Sequence, residues 1–213
     1  MGSQALMDEV CDEDRFSKVV TAGLEQTRNG VHDGLGTAYG PHERNWGIAH
    51  RILLPHFGPL AIRGMFGEMH DIASQLVMKW ARHGPDYRIQ AAEEFTRLTL
   101  DTIALCAMGY RFNSYYSQTL HPFVEAMKSF LRVSGYRARR GCLTQLLCVS
   151  ENQEYWENIE LLRETSMAII QARKEHPSDK KDFLHGMLHG VDPETGEKMT
   201  VSVADGRRNV HAC

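Results

Sequence analysis

The sequence predicts a mainly α-helical protein with almost no strand, and three observations predict it. Met65, Met69, Ile72, Leu76 and Trp80 recur at spacings of four, three, four and four, the period of an amphipathic helix. Glu93 to Gly109 carries apolar residues almost all round a helical wheel, so it reads as a helix buried among others. Ser150 and Gln153 have the spacing of a capping box. The helix they open carries Trp156, Ile159, Leu162, Ile169 and Ile170 and ends near Pro177.

The remaining elements follow in order. Val10 to Gly30 is a short helical pattern with Phe16, Val19, Val20 and Leu24 on one side, ended by Asn29-Gly30. His32 to Gly40 is a glycine-rich loop able to approach a ligand closely, without the Lys-Ser/Thr of a phosphate loop. Pro41 starts a helix that Pro55 stops or kinks. Leu60 to His83 is one long amphipathic helix closed by Gly84-Pro85, and Tyr87 to Ala91 reads as a short strand. Within Glu93 to Gly109, Arg97 and Asp101 have the spacing of an ion pair, and Cys106 reads as a small core residue. Arg111 to Tyr116 is a turn, and His121 to Ser134 is amphipathic through Phe123, Val124, Met127, Phe130 and Leu131. Gly135 to Gly141 breaks that pattern. A shorter helix spans Asp179 to His189, and Asp192 to Gly196 is a strong turn signal. The chain divides into residues 1–200 and a tail, 201–213, without periodicity or apolar face.

Composition narrows the function. Of 213 residues, 42% are hydrophobic and 24% charged, ordinary for a globular protein. A net charge of -3 gives no sign of nucleic-acid binding, and the basic run Arg137, Arg139, Arg140 reads as a solvated loop. No apolar run has the length of a membrane span, and Met1 to Asp14 is polar and acidic, unlike a secretory signal. The five cysteines form no CxxC pair and read as reduced thiols in a cytoplasmic setting.

Two side-chain pairs invite a functional reading. Trp46 and His50 are four apart and share one helix face, where an indole N–H and an imidazole can donate to an anion such as a cofactor carboxylate. Arg51 adds a permanent charge beside them. On spacing alone, a partly buried surface helix explains the pair more simply. His185 and His189 are also four apart, but no third ligand is evident, and a solvated face is the simpler reading.

Several stretches then carry a resemblance. HERNWGIAHRILLPHF, MHDIASQLVMKWARHG, FTRLTLDTIALCAMGYRFNSYY and DPETGE, in that order, resemble the heme-thiolate monooxygenases of the cytochrome P-450 superfamily. The likeness is nearest to self-sufficient fatty-acid hydroxylases, whose heme domain is fused to a flavin-dependent reductase. CDEDRF at Cys11 to Phe16 and DGLGTAYG at Asp33 to Gly40 fit it too. The resemblance implies heme as cofactor, with FAD, FMN and NADPH entering only through a reductase, and an apolar small-molecule substrate. It implies that Trp46 and His50 donate to a heme propionate and that Leu35 and Gly36 lie over the heme face. An aromatic residue is frequent where this chain has Gly36, so the departure opens space for substrate.

Other family motifs are missing from the sequence. No Phe-x-x-Gly-x-Arg-x-Cys-x-Gly loop occurs; Cys142 has Arg140 before it, but Ala138 and Gly135 stand where Gly and Phe belong. The oxygen-activating Ala/Gly-Gly-x-x-Thr helix does not follow DPETGE. Glu-x-x-Arg occurs at Glu25/Arg28, Glu94/Arg97 and Glu160/Arg163, none just ahead of a Cys loop. The resemblance therefore implies the C to H helix region of a heme domain, without the N-terminal sheet, the oxygen-binding helix or the Cys loop, and inactive by itself. The alternative is a non-catalytic helical remnant or interaction module.

Overall fold

The computed structural model describes residues 3–12, 14–32, 34–40 and 42–199, so Pro41 and the 201–213 tail lie outside the described residues. Those residues are mainly helical, as predicted. The helices are α1 (Gln4–Val10), α2 (Gly23–Val31), α3 (Arg44–Leu53), α4 (Pro59–Gly64), α5 (Phe66–His83), α6 (Ala91–Met108), α7 (Pro122–Arg137), α8 (Cys142–Leu147), α9 (Val149–Glu175) and α10 (Phe183–His189), with 3-10 turns at Leu54–Phe57 and Ser114–Tyr116. Among the described residues, β structure is limited to an isolated antiparallel bridge between Val191 and Lys198.

One cluster joins α2, α7 and α9. Phe130 and Val133 of α7 pack on Tyr155 and Ile159 of α9, each helix supplying apolar residues at its own period. Helix α2 approaches at Gly30, where a Cβ would lie 2.9 Å from Phe130 Cζ and 3.3 Å from Ile159 Cγ1. The Tyr155 hydroxyl donates to the Gln26 carbonyl at 2.6 Å. The Arg137 guanidinium sits 4.4 Å from the Tyr155 ring centroid, and its Nε donates to Gln26 at 2.9 Å.

Several expectations change here. The helix expected over Val10 to Gly30 begins only at Gly23. Val20 is buried while Phe16 and Val19 are exposed, so the apolar spacing there marks one anchor and not a helix face. Asn29-Gly30 lies within α2 and makes its contact. Gly135 does not break α7, which runs to Arg137, because a helical glycine costs only about 1 kcal/mol. The basic run is not a solvated loop: burial pushes the Arg137 pKa down, and Arg140 pairs with Glu151. The capping box does not form, since α9 starts at Val149 without a side-chain cap and Gln153 donates to Glu157 instead.

The helix predicted over Leu60 to His83 is two, α4 and α5, parted at Met65; Gly84 ends α5 at φ +78°. Helix α6 buries a polar stripe where apolar burial all round was expected. Glu94, Arg97 and Asp101 are 7%, 1% and 1% exposed, whereas Phe95 and Ile103 are 49% and 63% exposed. Glu94 accepts from Lys79 of α5 at 2.5 Å, and the loop that follows explains Arg97 and Asp101. Arg97 donates to the carbonyls of Ser114, Ser117 (3.0 Å) and Gln118 (2.8 Å) and to Glu93 at 2.7 Å. Asp101 accepts from the Ser114 N–H at 2.8 Å and its hydroxyl at 2.7 Å. The Arg97–Asp101 pair expected from their spacing is not made. Residues 87–91 form no strand; they are exposed, and Ala91 opens α6.

Helix α10 starts at Phe183, later than expected, because Asp182 caps it by accepting from the His185 N–H at 2.9 Å. Asp182 also receives Arg173 of α9 at 2.7 and 3.0 Å. Arg173 donates in turn to the Met108 carbonyl at 2.7 Å, beside Gly109, whose φ of +61° suits glycine. Ala104, Phe112, Ile169 and Leu184 close this second cluster. Cys106 is buried beside it, and desolvation pushes its thiol pKa up. A third cluster seats Ile48, Ile52 and Leu53 of α3 against Phe183 and Met187 of α10. Among the described residues, no helix is long and apolar enough to cross a membrane.

Candidate functional site

Helix α3 and the loop before it are built around one another. The helix begins at Arg44, and the Glu43 carboxylate just ahead of it accepts from the Tyr39 N–H at 2.8 Å and from Arg28 at 3.1 Å. Arg28 also donates to the Thr37 carbonyl at 2.8 Å, and the Thr37 hydroxyl donates to the His32 carbonyl at 2.6 Å. These bonds turn the glycine-rich segment back over α3.

Trp46, His50 and Leu35 meet there, with Gly36 next to Leu35 in the chain. The Trp46 and His50 rings stack with centroids 4.6 Å apart and planes inclined by 14°, as four-residue spacing allows. Trp46 Nε1 donates to the Leu35 carbonyl at 3.3 Å, at the long end for such a bond. Leu35 and Gly36 are exposed, and nothing lies within 4 Å of a Cβ built on Gly36. Lys18, which no sequence pattern singled out, donates to the Gly36 carbonyl at 2.6 Å. Its part was illegible because the two residues are eighteen positions apart, with helix α2 between them.

Arg51 does not add its charge to this face. Its Nε and Nη2 donate to the two Asp192 oxygens at 2.6 Å each, and its Nη1 lies 3.1 Å from Glu194. Hydrogen bonding by Arg51, helped by the Thr195 hydroxyl and the Glu194 N–H, holds the Asp192 carboxyl well below the usual carboxylate range. Of the Glu-x-x-Arg arginines, Arg28 braces the loop before α3 through Thr37 and Glu43, Arg97 holds the loop after α6, and Arg163 lies 3.0 Å from His32. The His185 and His189 rings lie 4.8 Å apart, and the described residues hold no group of three or more His, Cys, Asp or Glu placed for a metal.

Comparison with known proteins decides the family. The family model for cytochrome P450 matches residues 2–209. The chain belongs to the cytochrome P450 family. This P450 chain is 54% identical over 200 residues to a bifunctional cytochrome P450/NADPH–P450 reductase of Aspergillus oryzae, covering 94% of the chain and 18% of that protein. It is 55% identical to a protein of the same description from Fusarium oxysporum, covering 94% and 19%. It is 50% identical to a self-sufficient cytochrome P450 monooxygenase of Exserohilum turcicum, covering 95% and 19%. The P450 chain thus spans about a fifth of the length of these relatives.

The family implies heme, and the donor set is the test of fit. Trp46 and His50 present an indole N–H and an imidazole on one rim, beside an apolar Leu35 and an open Gly36. That combination suits a flat apolar group with a carboxylate edge. The cysteines whose side chains are described are Cys11, exposed, Cys106, buried in α6, and Cys148, half-buried, and none carries the family's Cys-loop sequence.

Proposed function

We propose that Trp46 and His50 hold a heme propionate, with Leu35 against the porphyrin face and Gly36 leaving room for an apolar substrate. The observation that carries this is that Trp46, stacked on His50, donates its indole N–H to the Leu35 carbonyl. Bound heme supplies the iron chemistry that activates dioxygen. The chain's own residues orient it: the indole N–H exchanges a long bond to Leu35 for a carboxylate oxygen, and the His50 imidazole donates a second hydrogen bond. Leu35 keeps water from the adjacent face.

The resemblance and the names of the relatives extend the reading to the whole protein. It would be a cytoplasmic monooxygenase acting on a fatty acid or similar apolar substrate. One atom of O2 enters a C–H bond and the other leaves as water, with two electrons drawn from NADPH through FAD and FMN of a reductase. The 213-residue chain alone, without the Cys-loop motif, is inactive in this reading. Exposed Phe95 and Ile103 on α6 favour a second reading, an interaction module with a partner across that face; a monodisperse monomer in light scattering counts against it.

The test is a hemin titration of the purified chain, followed by reduction under carbon monoxide. Saturable binding weakened about ten-fold by Trp46→Phe or His50→Gln is expected, without a thiolate-type carbonyl band. Unchanged binding in both variants rejects the propionate role. A thiolate-type band, or NADPH-dependent hydroxylation with added reductase, rejects the inactivity of the chain.

A further inference from the structure

We infer that Arg51 and Asp192 are positioning residues: the turn at residues 192–196, acting through the Arg51 guanidinium, sets the rotation of α3 that brings Trp46 and His50 to the loop. The inference rests on the propionate role proposed above.

Gly47 supplies the first reason. A glycine inside a helix is destabilising relative to alanine, and α3 carries one in its first half. A Cβ there would lie 3.2 Å from Arg51 Nη1 and 3.6 Å from Nη2. The guanidinium therefore lies back along the helix, over the turn N-terminal to its own Cα, in the direction helical side chains favour. Glycine at 47 is the seat that lets it do so.

The geometry of the contact supplies the second. Two nitrogens of a planar fork meet two carboxylate oxygens at 2.6 Å each. Such a pair fixes orientation as well as distance, which a single ammonium contact does not. Asp192 is itself immobilised: it is 1% exposed, accepts from the Thr195 hydroxyl at 2.6 Å, and has its backbone N–H on the Glu197 carbonyl at 2.7 Å. From the other side, Gly190 abuts Ile52 closely enough that a Cβ there would overlap it.

The placement on the helix supplies the third. Gly47 and Arg51 follow Trp46 and His50 by one residue each, so the clamped face and the candidate face are about 100° apart. The clamp does not touch the candidate site, yet any rotation of α3 moves both. A 20° rotation displaces a side chain at the helix periphery by on the order of 2 Å. That is enough to break the 3.3 Å bond between Trp46 and Leu35. Pairing with Asp192 also keeps the Arg51 charge from competing with His50 for a carboxylate.

The experiment uses the full chain and its three tryptophans. Their indole N–H cross-peaks are recorded by NMR and assigned by single Trp→Phe substitutions; hemin affinity is measured in parallel. Asp192→Asn is expected to move the Trp46 cross-peak, leave those of Trp80 and Trp156 in place, and weaken hemin binding about ten-fold. Arg51→Lys, which keeps the charge but loses the fork, is expected to do the same, and it carries the test if Asp192→Asn does not fold. A folded variant with an unmoved Trp46 cross-peak and unchanged hemin affinity overturns the positioning role. If Trp46→Phe and His50→Gln leave hemin binding unchanged, the propionate reading fails separately, and the cross-peak alone decides whether Asp192 sets the helix.

Discussion

Arg97 and Asp101 sit one helical turn apart on α6, each 1% exposed, and reach separately into the loop that follows. Arg97 gathers the carbonyls of Ser114, Ser117 and Gln118, while Asp101 takes the N–H and hydroxyl of Ser114. A buried guanidinium and a buried carboxylate thus clasp the same loop with opposite hydrogen-bonding roles. That loop leads directly into α7, so the clasp ties α6 to the α7–α9 pair.

Arg97→Met is expected to destabilise the chain by about 3–5 kcal/mol, because it removes one member of a buried charged network and strands its acceptors. Urea unfolding measures it. A loss under about 1 kcal/mol, the ordinary size of a single mutation's effect, would show that the loop carbonyls find other donors.

Two helical glycines are expected to respond in opposite directions to alanine. Gly30→Ala forces a Cβ to 2.9 Å from the buried Phe130 ring and is expected to cost about 1–3 kcal/mol. Gly135→Ala meets nothing within 4 Å and is expected to gain up to about 1 kcal/mol from helix propensity. Thermal melts of the two variants, read side by side, check the pair; equal shifts of one sign would contradict the packing of α2 on α7.

The stability of the chain should carry the signature of Asp192. Its carboxyl is held well below the ordinary value by Arg51. The folded state therefore binds the proton more weakly than the unfolded state, whose Asp titrates at about 3.9. The contribution is complete above that value and is lost as pH falls from it towards the folded pKa. Asp192→Asn should lower the melting temperature at pH 7, and the gap to wild type should narrow below about pH 4. A gap independent of pH would assign the effect to packing alone.

Local chemistry made much of the fold legible. The three-four recurrence through Met65–Trp80 marked the amphipathic helix over most of its length, and Asp192 to Gly196 announced its turn. The four-residue spacing of Trp46 and His50 placed them on one face, where they stack. Pattern failed where a tertiary partner decided. Gly30 looked like a helix stop and is a contact with Phe130 and Ile159. Ser150 and Gln153 looked like a cap, but α9 begins ahead of them.

By itself, the sequence determined the helical class and the helix face shared by Trp46 and His50. Both follow from interactions within a few residues, whose energies depend on spacing along the chain. Tertiary structure alone decided where the charges go. Arg97 passes over Asp101 for the loop carbonyls, and Arg51 passes over the candidate site for an aspartate 141 residues away. A charged side chain leaving water binds whichever partner the folded chain brings within hydrogen-bonding distance, and that distance is not written in the spacing of residues.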